Sequence, residues 1–148
     1  MLNEKLKFTG VVTIRRYNEK TGETLEERVI KNLVVTAGLA WIAARMVGAP
    51  AVMSHMAVGT GAVAAADANT ALGAELTRVA LTSSTAVGGV VTYVASYPAG
   101  VGTGALTEAG ILNAAANGTM LARTVFPVVN KGANDAISIT WAITAAKV

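Results

Sequence analysis

The chain has 148 residues, a formal net charge of +3, and an apolar content of 53% to which aromatic residues contribute only 5%. This length suits one domain, and the apolar content exceeds that of chains that stay disordered. Because the sequence contains no cysteine, it excludes disulfide bonds, thiol catalysis and cysteine-ligated metals, and so small a net charge is not the clustered basic face typical of nucleic-acid binding.

Charge is distributed unevenly along the chain. Residues 1–31 hold twelve of the twenty-one Lys, Arg, Asp and Glu residues. We predict a single domain over residues 1–148, with a charged N-terminal hairpin or arm (1–31) and an apolar β-rich body (32–148). Surfaces as poor in charge as this body are typical of proteins that contact partners. The polar start of the chain predicts no signal peptide, and no stretch predicts a membrane span.

The charged N-terminal part predicts a β-hairpin. Residues 7–17 and 24–35 have the composition of strands, and residues 18–23 supply a turn in which Gly22 can adopt positive φ. Arg15 and Arg16 are adjacent, so in a strand their side chains point to opposite faces and do not form one basic patch.

One helix is predicted at about residues 37–47. Thr36 is its candidate N-cap, and Gly48 is its candidate C-terminal stop. Four residues recur at helical spacing and form the apolar stripe that is predicted to face the core: Leu39, Ile42, Ala43 and Met46. Trp41 lies off this stripe.

The remainder of the chain predicts short strands separated by turns. A loop is predicted at 61–70 and a turn or short helix at 71–75. Asn117-Gly118 predicts a tight hairpin turn, because both residues tolerate left-handed backbone angles. The predicted strands are 54–60, 76–85, 90–98, 105–113, 119–127 and 136–145, and the last of these alternates Ile137, Ile139, Trp141 and Ile143 on one face. The sum of about seven or eight strands and one short helix predicts a mainly β fold, an antiparallel β-sandwich or barrel-like domain.

Few residues suggest catalysis. His55 is the single histidine, so it cannot build a multi-histidine metal site, and no nucleophile-elbow motif accompanies it. We predict no catalytic, cofactor or metal site. A small hydrolase remains an alternative if His55 lies in an open cleft beside a carboxylate or one of the serines Ser54, Ser83 and Ser84.

Two glycine-rich fragments and four charges in the body have structural explanations. Gly59-Thr60-Gly61 and Gly102-Thr103-Gly104 resemble pieces of phosphate-binding loops but complete no such motif, which favours strand ends or turns that need small residues. Scattered charges in an apolar body usually pair with one another in or near the core or across subunits, and those in question are Glu75, Arg78, Glu108 and Arg123. Met53, Met56 and Trp41 are expected in the core.

Five segments, taken in order, resemble small tail-fibre and tail-collar-fibre domains of tailed bacteriophages. They are Asn32-Leu33-Val34-Val35-Thr36-Ala37-Gly38-Leu39, Met56-Ala57-Val58-Gly59-Thr60-Gly61, Thr70-Ala71-Leu72-Gly73-Ala74-Glu75-Leu76-Thr77-Arg78, Leu106-Thr107-Glu108-Ala109-Gly110-Ile111-Leu112 and Met120-Leu121-Ala122-Arg123. Each motif alone is weakly specific, and the resemblance covers roughly residues 32–145. It implies a β-rich virion protein that oligomerises and docks on the phage particle, although the long shaft of larger fibres does not follow here.

The expected function is therefore structural and non-enzymatic. We expect a homo-oligomer, preferably a trimer, that contacts other virion proteins, is assembled in the cytoplasm of the bacterial host, and binds neither nucleic acid nor membrane. A tail-fibre, collar or baseplate component is favoured, and a capsid decoration (cement) protein is the alternative. A receptor- or glycan-binding module is a further alternative, but its sugar-stacking residues would have to come from few aromatics: Trp41, Tyr93, Tyr97 and Trp141.

Overall fold

A computed structural model describes residues 2–148 as a sandwich of two five-stranded antiparallel sheets with one helix. Sheet A has the strand order β2-β1-β10-β7-β6, and sheet B has the order β3-β9-β8-β4-β5. The elements are β1 (Leu6–Asn18), β2 (Thr24–Lys31), β3 (Leu33–Val34), α1 (Thr36–Arg45), β4 (His55–Gly59), β5 (Glu75–Ala80), β6 (Ser83–Val87), β7 (Val90–Tyr97), β8 (Gly104–Leu112), β9 (Met120–Lys131) and β10 (Asp135–Lys147).

The predicted fold class is confirmed as a mainly β sandwich, and the sheets do not close into a barrel. The described residues form ten strands rather than seven or eight. Part of the difference arises because two predicted strands cross between sheets. The run 24–35 breaks at Asn32, between β2 in sheet A and β3 in sheet B, and the run 76–85 breaks between β5 and β6. Composition did not show these corners, because residues on both sides of each corner favour strands.

The main core lies between the sheets. The predicted alternation of β10 is confirmed, since Ile137, Ile139, Trp141 and Ile143 are all buried there. Tyr97 of sheet A donates its hydroxyl hydrogen to the carbonyl of Met56 in sheet B at 2.7 Å. This bond satisfies a buried polar group and joins the sheets, which explains how a tyrosine is tolerated in the core.

The predicted N-terminal hairpin is confirmed, because β1 and β2 pair antiparallel. β1 also pairs along its length with β10, and its Val12 and Ile14 are buried in the main core. The hairpin is thus built into the sandwich. Arg15 and Arg16 point to opposite faces as expected. Arg15 lies over the Tyr17 ring, whereas Arg16 forms an ion pair with Asp135 at 2.9 Å.

The helix is confirmed at Thr36–Arg45, but its predicted N-cap is wrong, and its predicted apolar stripe is confirmed only in part, because Ile42 packs against the core. Val35 occupies the N-cap position without a side-chain cap, and the Thr36 N–H is instead satisfied by the Asp67 carbonyl at 2.9 Å. Gly38 is buried, because the helix approaches the β9 backbone so closely that a Cβ there would collide with the Leu121 carbonyl. Trp41 packs against the core, whereas Leu39 and Met46 are exposed.

The Asn117-Gly118 prediction is partly confirmed. Both residues have positive φ, 55° and 76°, as a left-handed turn requires. They do not form a two-residue turn, however, because they lie inside the longer connection between β8 and β9. The side chain of Asn113 accepts the Thr119 N–H at 2.7 Å, and Arg78 donates to the carbonyls of Ala114 and Asn117. These contacts fix the conformation of this longer loop.

Candidate assembly surface

The outer face of sheet B is covered by the chain itself. The covering loop, residues 60–74, connects β4 to β5 and lies across this face. A second, smaller core forms beneath it, in which Leu72 packs with Leu112 and Met120. Gly110 faces Leu72 and Met120 so closely that a Cβ would contact both at 3.0 Å. The sheet therefore needs glycine there to accept its cover.

A buried carboxylate anchors the covering loop. Glu108 on β8 has no exposed surface, and its Oε1 accepts the backbone N–H groups of Gly61 and Ala74 at 2.9 and 2.7 Å. Its Oε2 accepts the Gly73 N–H at 2.9 Å. Converging backbone N–H groups are a common anion-binding arrangement, and here the anion is an internal side chain. One carboxylate thus holds both ends of the loop.

Arg123 on β9 completes this network. It is 2% exposed and donates from Nη2 to Glu108 Oε2 at 2.8 Å. Its guanidinium also donates to the Val63 carbonyl at 3.0 Å and to the side-chain oxygen of Asn69 at 2.9 Å. These partners lie in the covering loop between the segments that Glu108 holds. The pair is therefore fully bonded, as a buried ion pair must be.

The electrostatics of Glu108 follow from these contacts. Burial alone would raise the pKa of its carboxyl group. The N–H groups of Ala74 and Gly73, the Arg123 guanidinium and the Gly61 N–H outweigh burial and hold the pKa below its ordinary value of 4.5. Glu108 is consequently charged at neutral pH. Its lone pairs are occupied by internal donors, so the network is suited to holding the loop rather than to proton transfer.

The expected structural roles of the glycine fragments and charges agree with this arrangement. A Cβ on Gly59 would collide with the Ala74 carbonyl, and one on Gly61 would lie 2.5 Å from Glu108. Gly102, in the turn before β8, and Gly104, the first residue of β8, both have positive φ. The expected pairing of these four charges is confirmed, and the structure gives the pairs as Glu108 with Arg123 and Glu75 with Arg78 at 2.7 Å.

Within the part of the chain that the structure describes, no segment covers the outer face of sheet A, and β10, β7 and β6 carry no charge on that side. The registers place Thr140 beside Thr13 and Val94, and Ala142 beside Val11 and Thr92. We call the uncharged residues of this surface the bare face: Thr9, Val11, Thr13, Val29, Ser83, Thr85, Val87, Val90, Thr92, Val94, Ser96, Ser138, Thr140, Ala142 and Thr144. Charged residues on the same side are confined to β1 and β2, at Lys7, Arg15, Glu27 and Lys31.

The size of the bare face is that of an interface core. Five strands spaced ~4.8 Å apart, each contributing a few outward residues, give a patch on the order of 400 Å². Stable interfaces bury about 800 Å² on each partner. A partner that covered the bare face would therefore also have to contact its margins. The period-two pattern of Ser138, Thr140, Ala142 and Thr144 in β10 is the sequence signal that could have revealed this surface.

The edge strands of the two sheets also differ in whether charged side chains protect them. Arg28 of β2 donates to the carbonyls of Pro127 and Val128 on β9, which closes that side of the sandwich. Arg78 lies on β5, the edge strand of sheet B. β6, the edge strand of sheet A, is exposed throughout and carries no charge. Natural proteins usually guard edge strands with charge, and β6 lacks this protection.

The structure brings the candidate hydrolase residues Ser54 and His55 together but places Ser83 and Ser84 away from them. Ser54 Oγ lies 2.8 Å from His55 Nδ1, and both residues are partly buried. Ser83 and Ser84 lie on β6 in the other sheet. Within residues 2–148, no carboxylate forms a hydrogen bond or ion pair with His55, so the third group of a triad is not brought to it.

The aromatic residues considered for sugar stacking are mostly buried. Tyr93, Tyr97 and Trp141 belong to the main core, and Trp41 packs against it while donating its indole N–H to the Ala51 carbonyl at 2.9 Å. Burial raises the pKa of both tyrosines. Met53 and Met56 are buried in the same core, as expected.

No group of three or more metal-ligating side chains is found in residues 2–148. Over the same range, no helix has the length and apolar character that crossing a membrane requires.

Comparison of the chain with protein-family models, with curated protein sequences and with solved structures gives no significant match in any of the three.

Proposed function

We propose that this chain is a structural protein of a tailed-bacteriophage virion, which assembles with copies of itself and docks on the particle. The observation that carries the proposal is the bare face of sheet A, which exposes a charge-free surface across β10, β7 and β6. A soluble protein that remained single would be expected to carry charge there. The ordered tail-fibre-like motifs of residues 32–123 support the choice of a virion.

A tail-fibre, collar or baseplate position is the preferred one, because the resemblance is to tail components. Capsid decoration is the second candidate, and it is favoured by the same flat face, which could lie against a shell. In either position the protein would act by burying the bare face and pairing backbone edges, with no bond-making step. A homotrimer is the expected assembly.

Light scattering tests the assembly half of the proposal. Purified protein at high concentration is expected to have three times the chain mass, or six times that mass where two trimers associate. A stable monomer under these conditions would contradict the proposal. A different closed oligomer would retain self-assembly and overturn the trimer.

Immunogold labelling of purified phage particles tests the virion half. Antibodies against this chain are expected to label the tail, collar or baseplate of intact particles. Label confined to the capsid would select the decoration alternative. Particles that contain no copy of the chain by mass spectrometry would refute the virion role.

A glycan-binding role makes a different prediction. Saturable binding in a glycan screen that survives disruption of the oligomer would favour the receptor-binding alternative. The burial of Tyr93, Tyr97 and Trp141 argues against it, because sugar rings stack on exposed aromatic faces.

A further inference from the structure

The N-terminal half of β1 has a neighbouring strand on only one side. β2 pairs with β1 only from Val11 onward, whereas β10 pairs with β1 from Leu6. We call Leu6–Gly10 the open edge. Beside it runs a groove whose other wall comes from the β2–β3 corner and from α1: Lys31, Asn32, Leu33, Val34 and Leu39.

The backbone groups at the open edge have a fixed direction. The Gly10 carbonyl accepts the Asn32 N–H on the β2 side, and the Lys5 carbonyl accepts the Val148 N–H on the β10 side. Since successive residues of a strand alternate, Leu6 and Phe8 direct their N–H and C=O groups into the groove. Among residues 2–148, these groups have no strand partner.

Two further features point to a missing partner. Both polar atoms of the Asn32 side chain are buried without a hydrogen bond, directly over Gly10. Unbonded buried amides are uncommon and costly. In addition, Leu2 is 98% exposed and Leu6 is 65% exposed. By strand alternation Leu6 lies on the same side as Phe8, and both residues line the groove.

We propose that two copies of this chain pair their β1 strands antiparallel along the open edge, so that residues 2–10 of each fill the groove of the other. The partner is a second copy because the edge complements itself: each copy offers an unpaired extended segment and an unfilled groove of the same length. With a two-fold axis perpendicular to the sheet, each groove receives the strand of the other copy. β2 of each copy lies beyond the end of the paired segment. The A sheets of the two copies become continuous.

This pairing deepens the proposed assembly role and rests on self-association of the chain. It uses the open edge and not the bare face, so it can join two rings that are built through the bare face. The strand from the partner also brings backbone donors and acceptors to the region of Asn32. Its Leu2 and Leu6 would cover the apolar wall that each copy leaves open.

Disulfide trapping tests the pairing, because the chain has no cysteine of its own. Single-cysteine variants at each position from Glu4 to Lys7 are oxidised at low protein concentration. A residue on the two-fold axis faces its own copy, at a separation close to that of a disulfide. We expect one of these four positions to form homodimers fastest. Val63→Cys in the covering loop and Thr103→Cys in the turn before β8 are matched exposed controls.

A backbone variant distinguishes strand pairing from general contact. Leu6 is the first residue of β1, where proline is tolerated, and L6P removes an N–H that faces the groove. L6A keeps that N–H and shortens the side chain. We expect L6P to weaken dimerisation roughly tenfold or more relative to L6A, because each dimer loses two hydrogen bonds. Circular dichroism confirms that both variants remain folded.

The outcomes separate this pairing from the proposed function. Disulfide formation at the controls as fast as at positions 4–7, or equal dimerisation of L6P and L6A, would overturn the pairing. An oligomeric wild type with either result would leave the assembly role intact. A wild type that is monomeric at every concentration would overturn both.

Discussion

The two sheets have equal numbers of strands, but their outer faces differ in whether a loop of the chain covers them. Sheet B uses residues 60–74 as a cover and fixes that cover with a buried ion pair between Glu108 and Arg123. Sheet A leaves its outer face without cover or central charge. The difference shows that the chain can bury a sheet face with its own residues and does so on one side only.

The largest expected effect comes from breaking the ion pair that holds the cover. Arg123→Met leaves the Glu108 carboxylate buried without its cation, and we expect the free energy of unfolding to fall by about 3–5 kcal/mol. Chemical denaturation measures this change, and amide hydrogen exchange should show faster exchange in residues 60–74 than in β10.

The double variant E108Q/R123M is the control for this prediction. It removes both charges, so we expect it to be more stable than R123M alone. Equal or lower stability of the double variant would show that the ion pair is not what secures the loop.

A smaller loss is expected at the close approach between β4 and the covering loop. Gly59→Ala places a methyl group against the Ala74 carbonyl, which is backbone and cannot swing away. We expect a loss of about 1–3 kcal/mol in thermal or chemical unfolding. Ala57→Gly, a buried change on the same strand that adds no atom, is the comparison that separates overpacking from general disturbance of β4.

Acid should loosen the cover. Because the folded-state pKa of Glu108 is lowered, its stabilising contribution is complete above the ordinary value of 4.5 and is lost as the pH falls through the lowered pKa. The difference in stability between the wild type and E108Q should therefore be largest near neutral pH and shrink below about pH 4.5. Denaturant titrations at several pH values check this, and a difference that grows in acid would have the wrong sign.

The smallest effect on stability is expected on the bare face. Thr140 is exposed and contacts only its neighbours on the sheet surface, so Thr140→Lys should change the unfolding free energy of the dissociated chain by less than about 0.5 kcal/mol. Unfolding at concentrations low enough to dissociate the oligomer measures this. A large loss would mean that Thr140 supports the fold rather than a contact.

Much of the fold could be predicted because the signals were local. The alternation of Ile137, Ile139, Trp141 and Ile143 located β10, and the polar turn containing Gly22 located the hairpin. The corners at Asn32 and between β5 and β6 could not be predicted, since a change of sheet leaves strand composition unaltered. The burial of Gly38 against β9 depends on a close approach between residues that are distant in the sequence. Helical spacing alone therefore did not predict correctly which residues of α1 face the core.

The two surfaces were predictable to different degrees. Pairing among the four charges of the body was expected, but which residues pair, and how Gly61, Gly73 and Ala74 converge on the Glu108 carboxylate, depends on tertiary structure. The bare face combines residues from five strands, and only their registers bring Thr13, Thr140 and Val94 side by side. A sequence shows each row of such a face separately and not the surface that they form.

The most direct test of the bare face as an assembly surface is light scattering of Thr140→Lys beside Thr103→Lys. Both residues are exposed threonines, but Thr103 lies in the turn before β8 and outside the bare face. A lysine at position 140 would place an unpaired charge in the buried interface. We predict that T140K shifts the protein to smaller species and that T103K retains the mass of the wild-type oligomer. An unchanged oligomer in T140K would contradict the account.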